Sequence, residues 1–149
     1  MTIDEYLGQL RKLKRESDHA ERRCKKLYDK LTSLHSASDF DGMPKGRTDY
    51  KSRQIALDDY ADAAQRSSDA FHEYKAFSDE LYSNICKCLY LDGLLLVTAY
   101  INNVVRGDDT LYGIGYILDT KDERVMISRL NEAKQHLRQV LINQGIELE

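Results

Sequence analysis

Apolar side chains recur every three or four residues over the first third of the chain. Ile3, Leu10, Ser17, Cys24 and Leu31 fall on one heptad position, and Tyr6, Leu13, Ala20, Leu27 and Leu34 on its companion. Such a repeat predicts an amphipathic helix with coiled-coil character. Thr2 and Glu5 stand three apart at its start, where each side chain can serve the other's backbone amide. A helix from Thr2 to about His35 would be roughly 50 Å long. Ser36–Lys51 is polar and holds Gly42, Pro44 and Gly46, which end helices, so residues 36–52 are expected to form a loop.

The same repeat resumes at about Arg53 and runs to Leu89. Leu57, Ala64, Phe71, Ser78 and Ile85 form one row, with Tyr60, Ser67, Tyr74, Leu81 and Cys88 beside it. Two helices of similar length joined by one loop fold most simply as an antiparallel hairpin. A lone hairpin leaves its far side wet. A second copy is therefore expected to complete a four-helix arrangement, with Leu10, Leu13, Leu27, Leu57, Phe71, Tyr74 and Leu81 as the dimerising positions. The alternative is that the hairpin packs on its own C-terminal part.

Beyond it, Tyr90–Val105 is the most apolar stretch and reads as a buried helix, begun near Asp92 and stopped by Gly107. Asp108 or Asp109, with Thr110, would cap a short helix bearing Leu111, Ile114, Ile117 and Leu118. After Asp119-Thr120-Lys121 a longer helix runs from about Asp122 to Asn143, with Met126, Leu130, Ala133 and Leu137 on one face. Short helix, polar break and longer helix is the order of a helix-turn-helix. The expected fold is all-α, a coiled-coil hairpin over 1–89 followed by a helix-turn-helix domain over 90–149.

Composition narrows the chemistry. The chain has 149 residues, 42% hydrophobic and 32% charged, one Pro and no Trp, which suits one charge-rich helical protein. It is too apolar to be disordered throughout. No apolar run is long enough to span a membrane and no signal-peptide pattern opens the chain, so a cytoplasmic place is expected. Cys24, Cys86 and Cys88 are an odd number and read as buried reduced thiols rather than a disulfide framework. His19, His35, His72 and His136 show no ligand spacing with carboxylates or cysteines, so no metal is expected. Gly113-x-Gly115 lacks the strand and third glycine of a dinucleotide site. Nothing supplies a nucleophile with its base, so neither catalysis nor a cofactor is expected. Net charge is −3, and residues 106–149 hold six Lys and Arg against eight Asp and Glu, so the proposed reader is not basic overall.

Arg124, Ser128 and Asn131 are spaced by four and three, opposite Met126, Leu130 and Ala133, and would be presented to the DNA major groove. Arg and Asn can pair bidentately with guanine and adenine. Lys121, Arg129 and Lys134 sit where they could hold phosphates, and Thr120 in the turn is counted among the DNA-binding positions. Ile127 lies outside the buried row and could touch a thymine methyl or pack on the hairpin.

Glu5–Leu13 (EYLGQLRKL), Ala99–Ile101 (AYI), the run TLYGIGYIL from Thr110 and ERVMISRLNEAKQHL from Glu123 carry a family likeness. In these features and in its layout the chain resembles the ArpU/RinA-type phage transcriptional regulators, whose C-terminal part is similar to region four of bacterial sigma factors. Its specific part is residues 94–141, where Ser128-Arg129-Leu130, Ala133 and Leu137 match the recognition-helix run. The resemblance implies a phage-encoded regulator that binds double-stranded DNA and switches on transcription; host RNA polymerase or another host protein is a further candidate partner. The alternative reading is a phage protein that has lost DNA binding and acts as a protein-binding inhibitor or adaptor of a host factor, a polymerase or a defence nuclease. Gly113 and Gly115 would each cost about 1 kcal/mol inside a helix relative to Ala, unless they permit close packing on the buried helix.

Overall fold

A computed structural model describes residues 1–40, 47–104 and 111–149, and every regular element among them is helical. The order is α1 (Ile3–Phe40), α2 (Arg47–Ile85), α3 (Tyr90–Leu96), a π-helical segment (Val97–Asn102), α4 (Ile114–Leu118) and α5 (Glu123–Asn143). No described helix is long and apolar enough to cross a membrane. The chain is all-α, and it divides into two compact units. One joins Met1–Arg15 to Glu73–Glu149, and the other is Glu16–His72.

α1 starts as its sequence dictates. The Thr2 amide donates to Glu5 Oε2 at 2.9 Å and the Glu5 amide to Thr2 Oγ1 at 3.2 Å, the reciprocal pair of a capping box. α1 runs on to Phe40 and α2 begins already at Arg47, because Ser36–Phe40 and Arg47–Lys51 contain no helix breaker, but α2 ends at Ile85, four residues before the expected Leu89. Gly42, Pro44 and Gly46 fall outside the described residues, as do Gly107 and the expected caps at Asp108, Asp109 and Thr110.

The hairpin is antiparallel. In the first unit Tyr6 meets Phe77 at 5.3 Å between ring centroids, and the Lys14 ammonium sits 5.2 Å over Tyr74. In the second, Tyr28 meets Tyr60 at 5.8 Å. Ile3, Tyr6 and Leu10 of α1 are buried as the heptad spacing expects. One row of α2 is corrected. Tyr60, Ser67, Tyr74 and Leu81 turn inward and Ile85 is buried as expected, but before it their companions are Ala56, Ala63, Ala70 and Phe77, one residue ahead of the expected row. Leu57 and Phe71 are therefore exposed, at 47% and 50%. Bulk is a poor guide here, since alanine fits the close helix contact and leucine does not need it.

The core of the first unit joins the base of the hairpin to the helices beyond it. Leu10, Leu81 and Ile85 are wholly or almost wholly buried in one cluster with Leu95, Leu96, Ile114, Leu137 and Leu141. Leu10 and Leu81 are thus spent inside the chain and cannot serve a dimer. Leu13, Leu27 and Tyr74 are half-buried. The apolar stretch from Tyr90 is not buried all round either. Leu95, Leu96 and Ala99 point inward while Tyr90 is 86% exposed, and from Val97 the helix widens to π geometry, which shifts the register of the next residues. No cysteine is fully buried: Cys24 and Cys88 are half-buried, and Cys86 is exposed.

Candidate nucleic-acid interface

α4 and α5 are joined by Asp119-Thr120-Lys121-Asp122, a turn of helix-turn-helix length. Asp119 closes α4 in the left-handed region with φ 51°, and the Thr120 amide donates to the Gly115 carbonyl at 3.0 Å. Aspartate tolerates this conformation better than most residues with a Cβ. Asp122 then caps α5 by accepting from the Arg124 amide at 3.0 Å, while Thr120 Oγ1 accepts from the Asp122 amide at 3.2 Å.

The two glycines are explained by this geometry. Gly113 is not inside a helix but at the N-cap of α4, with φ 83°, where a side chain would be strained. At Gly115 a Cβ would lie 2.8 Å from both Met126 Cε and the Thr120 carbonyl oxygen. Glycine there lets α4 press onto the turn and the start of α5.

Five of the seven expected DNA contacts lie at the surface or its edge. Arg124, Ser128 and Asn131 are exposed on one face of α5, Lys121 is exposed in the turn, and Thr120 is half-buried with its hydroxyl engaged in the turn. Arg129 and Lys134 are corrected. Arg129 Nη1 lies 2.7 Å from Oδ1 of Asp92, a completely buried carboxylate of α3. Lys134 donates to Asp4 at 2.8 Å and neighbours Tyr100. Both cations stand beside the apolar stripe of Leu130, Ala133 and Leu137, so they fasten α5 to the core instead of facing outward.

Asp92 is the residue that sequence reasoning missed. Its Oδ2 lies 2.6 Å from His136 Nδ1, within hydrogen-bonding distance. The contact to Arg129 is an ion pair without well-directed hydrogen-bond geometry. His136, expected to lack a carboxylate partner, thus has one. The available signal was position: Asp92 precedes Leu95, Leu96 and Ala99 by three, four and seven, which places it on their face. Cys88 and His136 share with it a cavity of about 310 Å³, yet no three His, Cys, Asp or Glu side chains among the described residues are arranged to hold a metal ion.

Around the outward ridge the surface is mixed. Asp119, Asp122 and Glu123 are exposed beside Lys121 and Arg124, so the turn is not a positive patch. Tyr116 is 95% exposed, and Val125 and Ile127 are about half exposed. An open cavity of about 590 Å³ lies against the turn, lined by Gly115, Tyr116, Lys121 and Met126 among others. No family model matches the chain, and neither a curated protein nor a solved structure does.

Proposed function

We propose that this chain is a DNA-binding transcriptional regulator of the ArpU/RinA kind, reading the major groove through the outer face of α5. One observation carries the reading. Arg124, Ser128 and Asn131 project together from a long helix that begins straight after a four-residue turn and is fastened to the core along its opposite side. That is the arrangement that lets side chains reach base edges. With Arg129 and Lys134 engaged internally, Lys121 and Arg124 are the cations left on the ridge. Binding then rests on base contacts more than on phosphate neutralisation, and its salt dependence is shallow, with a log–log slope of about −2 per chain.

The test is a fluorescence titration of the full chain against DNA from upstream of its own gene cluster, at several salt concentrations. Arg124→Ala with Asn131→Ala should weaken specific binding at least tenfold, by about 1–3 kcal/mol for each base pair no longer read. Equal affinity in the double variant, or no binding at low salt, rejects the proposal.

The exposed Tyr116, Val125 and Ile127 beside the same ridge favour a second reading, a protein-binding adaptor of a host factor such as the polymerase. Under it, Tyr116→Ala abolishes capture of the purified polymerase while DNA binding is absent in every variant.

A further inference from the structure

The unit Glu16–His72 has almost no interior. Among its described residues only Ser17 and Ala63 are buried, so two long helices meet there over serine and alanine with no large apolar side chain enclosed. Two helices cannot close a core, whereas four can. α2 moreover carries a second apolar stripe, one residue beyond the row that faces inward. Leu57, Ala61, Ala64, Ser68 and Phe71 succeed one another at four, three, four and three, the spacing that fits another helix of the same period. Leu57 and Phe71, its large members, are about half exposed, and Tyr28 of α1 is 53% exposed.

Charge selects the occupant. Residues 21–30 of α1 carry five Lys and Arg against two acids, and residues 57–69 of α2 carry four Asp against one Arg. The ring contact of Tyr28 with Tyr60 puts these two stretches at one level. A second copy laid alongside with its hairpin pointing the same way sets its basic α1 against the acidic flank of this α2, and the two-fold repeats the match. A copy laid α2 on α2 would oppose like charges.

We propose that the chain dimerises through this unit, with α1 of each copy packed antiparallel on the Leu57–Phe71 stripe of the other's α2. This does not depend on the DNA reading, and either can fail without the other.

Two charge-reversed full-length variants test it, one carrying Asp58→Lys with Asp62→Lys on α2 and the other Arg22→Asp with Lys25→Asp on α1. By sedimentation equilibrium the wild type should be a dimer at tens of micromolar, and each variant alone should self-associate at least tenfold more weakly. Mixed, the two should form a one-to-one dimer of near wild-type affinity, because each interface then pairs reversed with reversed or native with native. Charge pairing confined to one hairpin would not be restored by mixing. Should a reversed variant lose helicity, the uncharged Leu57→Gln with Phe71→Gln supplies the readout, expected to be a helical monomer. A wild-type monomer, an undiminished dimer in that variant, or no recovery on mixing overturns the proposal.

Discussion

Asp92 shows how one side chain can set the position of a whole helix. A carboxylate with no exposure is tolerable only when it is paired or hydrogen-bonded, and the two side chains that reach it, Arg129 and His136, stand two turns apart on α5. Arg129 is itself only a quarter exposed, so screening by water is limited. Arg129→Met therefore leaves the buried charge to His136 alone and is expected to destabilise the first unit by about 3 kcal/mol in a urea titration. Adding Asp92→Leu removes the stranded charge along with its partner and should recover most of that loss. If the single and double variants melt alike, the pair does not hold α5. None of this was legible in a pattern that ranks an aspartate among leucines as a helix start, because the partners lie about forty residues away in sequence.

At the scale of elements, the turn between α4 and α5 depends on a missing side chain. Gly115→Ala would place a methyl 2.8 Å from the Thr120 carbonyl oxygen and from Met126 Cε at once. Met126 can swing aside, whereas the carbonyl belongs to the backbone of the turn itself. The variant should lose about 1–3 kcal/mol, the usual range for overpacking, and Gly115→Ala with Met126→Ala should not regain it. Full recovery in that double variant would mean that the clash is with the methionine alone. The heptad spacing had already set out both long helices, and the Thr2–Glu5 capping box formed as written. What the pattern misplaced was the second row of α2, since hydrophobic bulk marks a stripe without saying which of two adjacent stripes faces the neighbour.

The molecule as a whole holds several protons more tightly when folded than when unfolded. Burial lifts Tyr6 and Tyr100 above their ordinary 10.0, with the charge of Glu80 adding to the shift at Tyr6. Burial also lifts Cys88 above 9.0, helped by Asp92. At Lys134 burial pulls the other way, but the hydrogen bond to Asp4 and the neighbouring Tyr100 outweigh it and the value rises above 10.5. Each raised group stabilises the fold fully below its unfolded value and loses that contribution as pH climbs through the folded one. All four lie in the first unit, so its melting temperature should hold steady up to about pH 9 and fall beyond it. Tyr6→Phe should flatten part of that fall at little cost near neutrality, because the hydroxyl is buried beside Asn84 without a well-formed hydrogen bond. An unchanged alkaline limb in Tyr6→Phe would remove this tyrosine from the explanation.

The order of residues alone was enough to show that the chain is helical, where α1 starts, where α5 starts and stops, and that Arg124, Ser128 and Asn131 share one face. These are local matters, set by the 3.6-residue period, by caps and by turn residues, and each is decided within a few positions along the chain. It took the packing of helix on helix to show that the hairpin's base belongs to the core of the C-terminal helices, that Leu10 and Leu81 are used within one chain, and that Arg129 and Lys134 turn inward to Asp92 and Asp4. Such outcomes depend on which helix lies beside which. A buried charge or an exposed leucine is defined by its neighbours, and the spacing of residues on one helix carries no record of them.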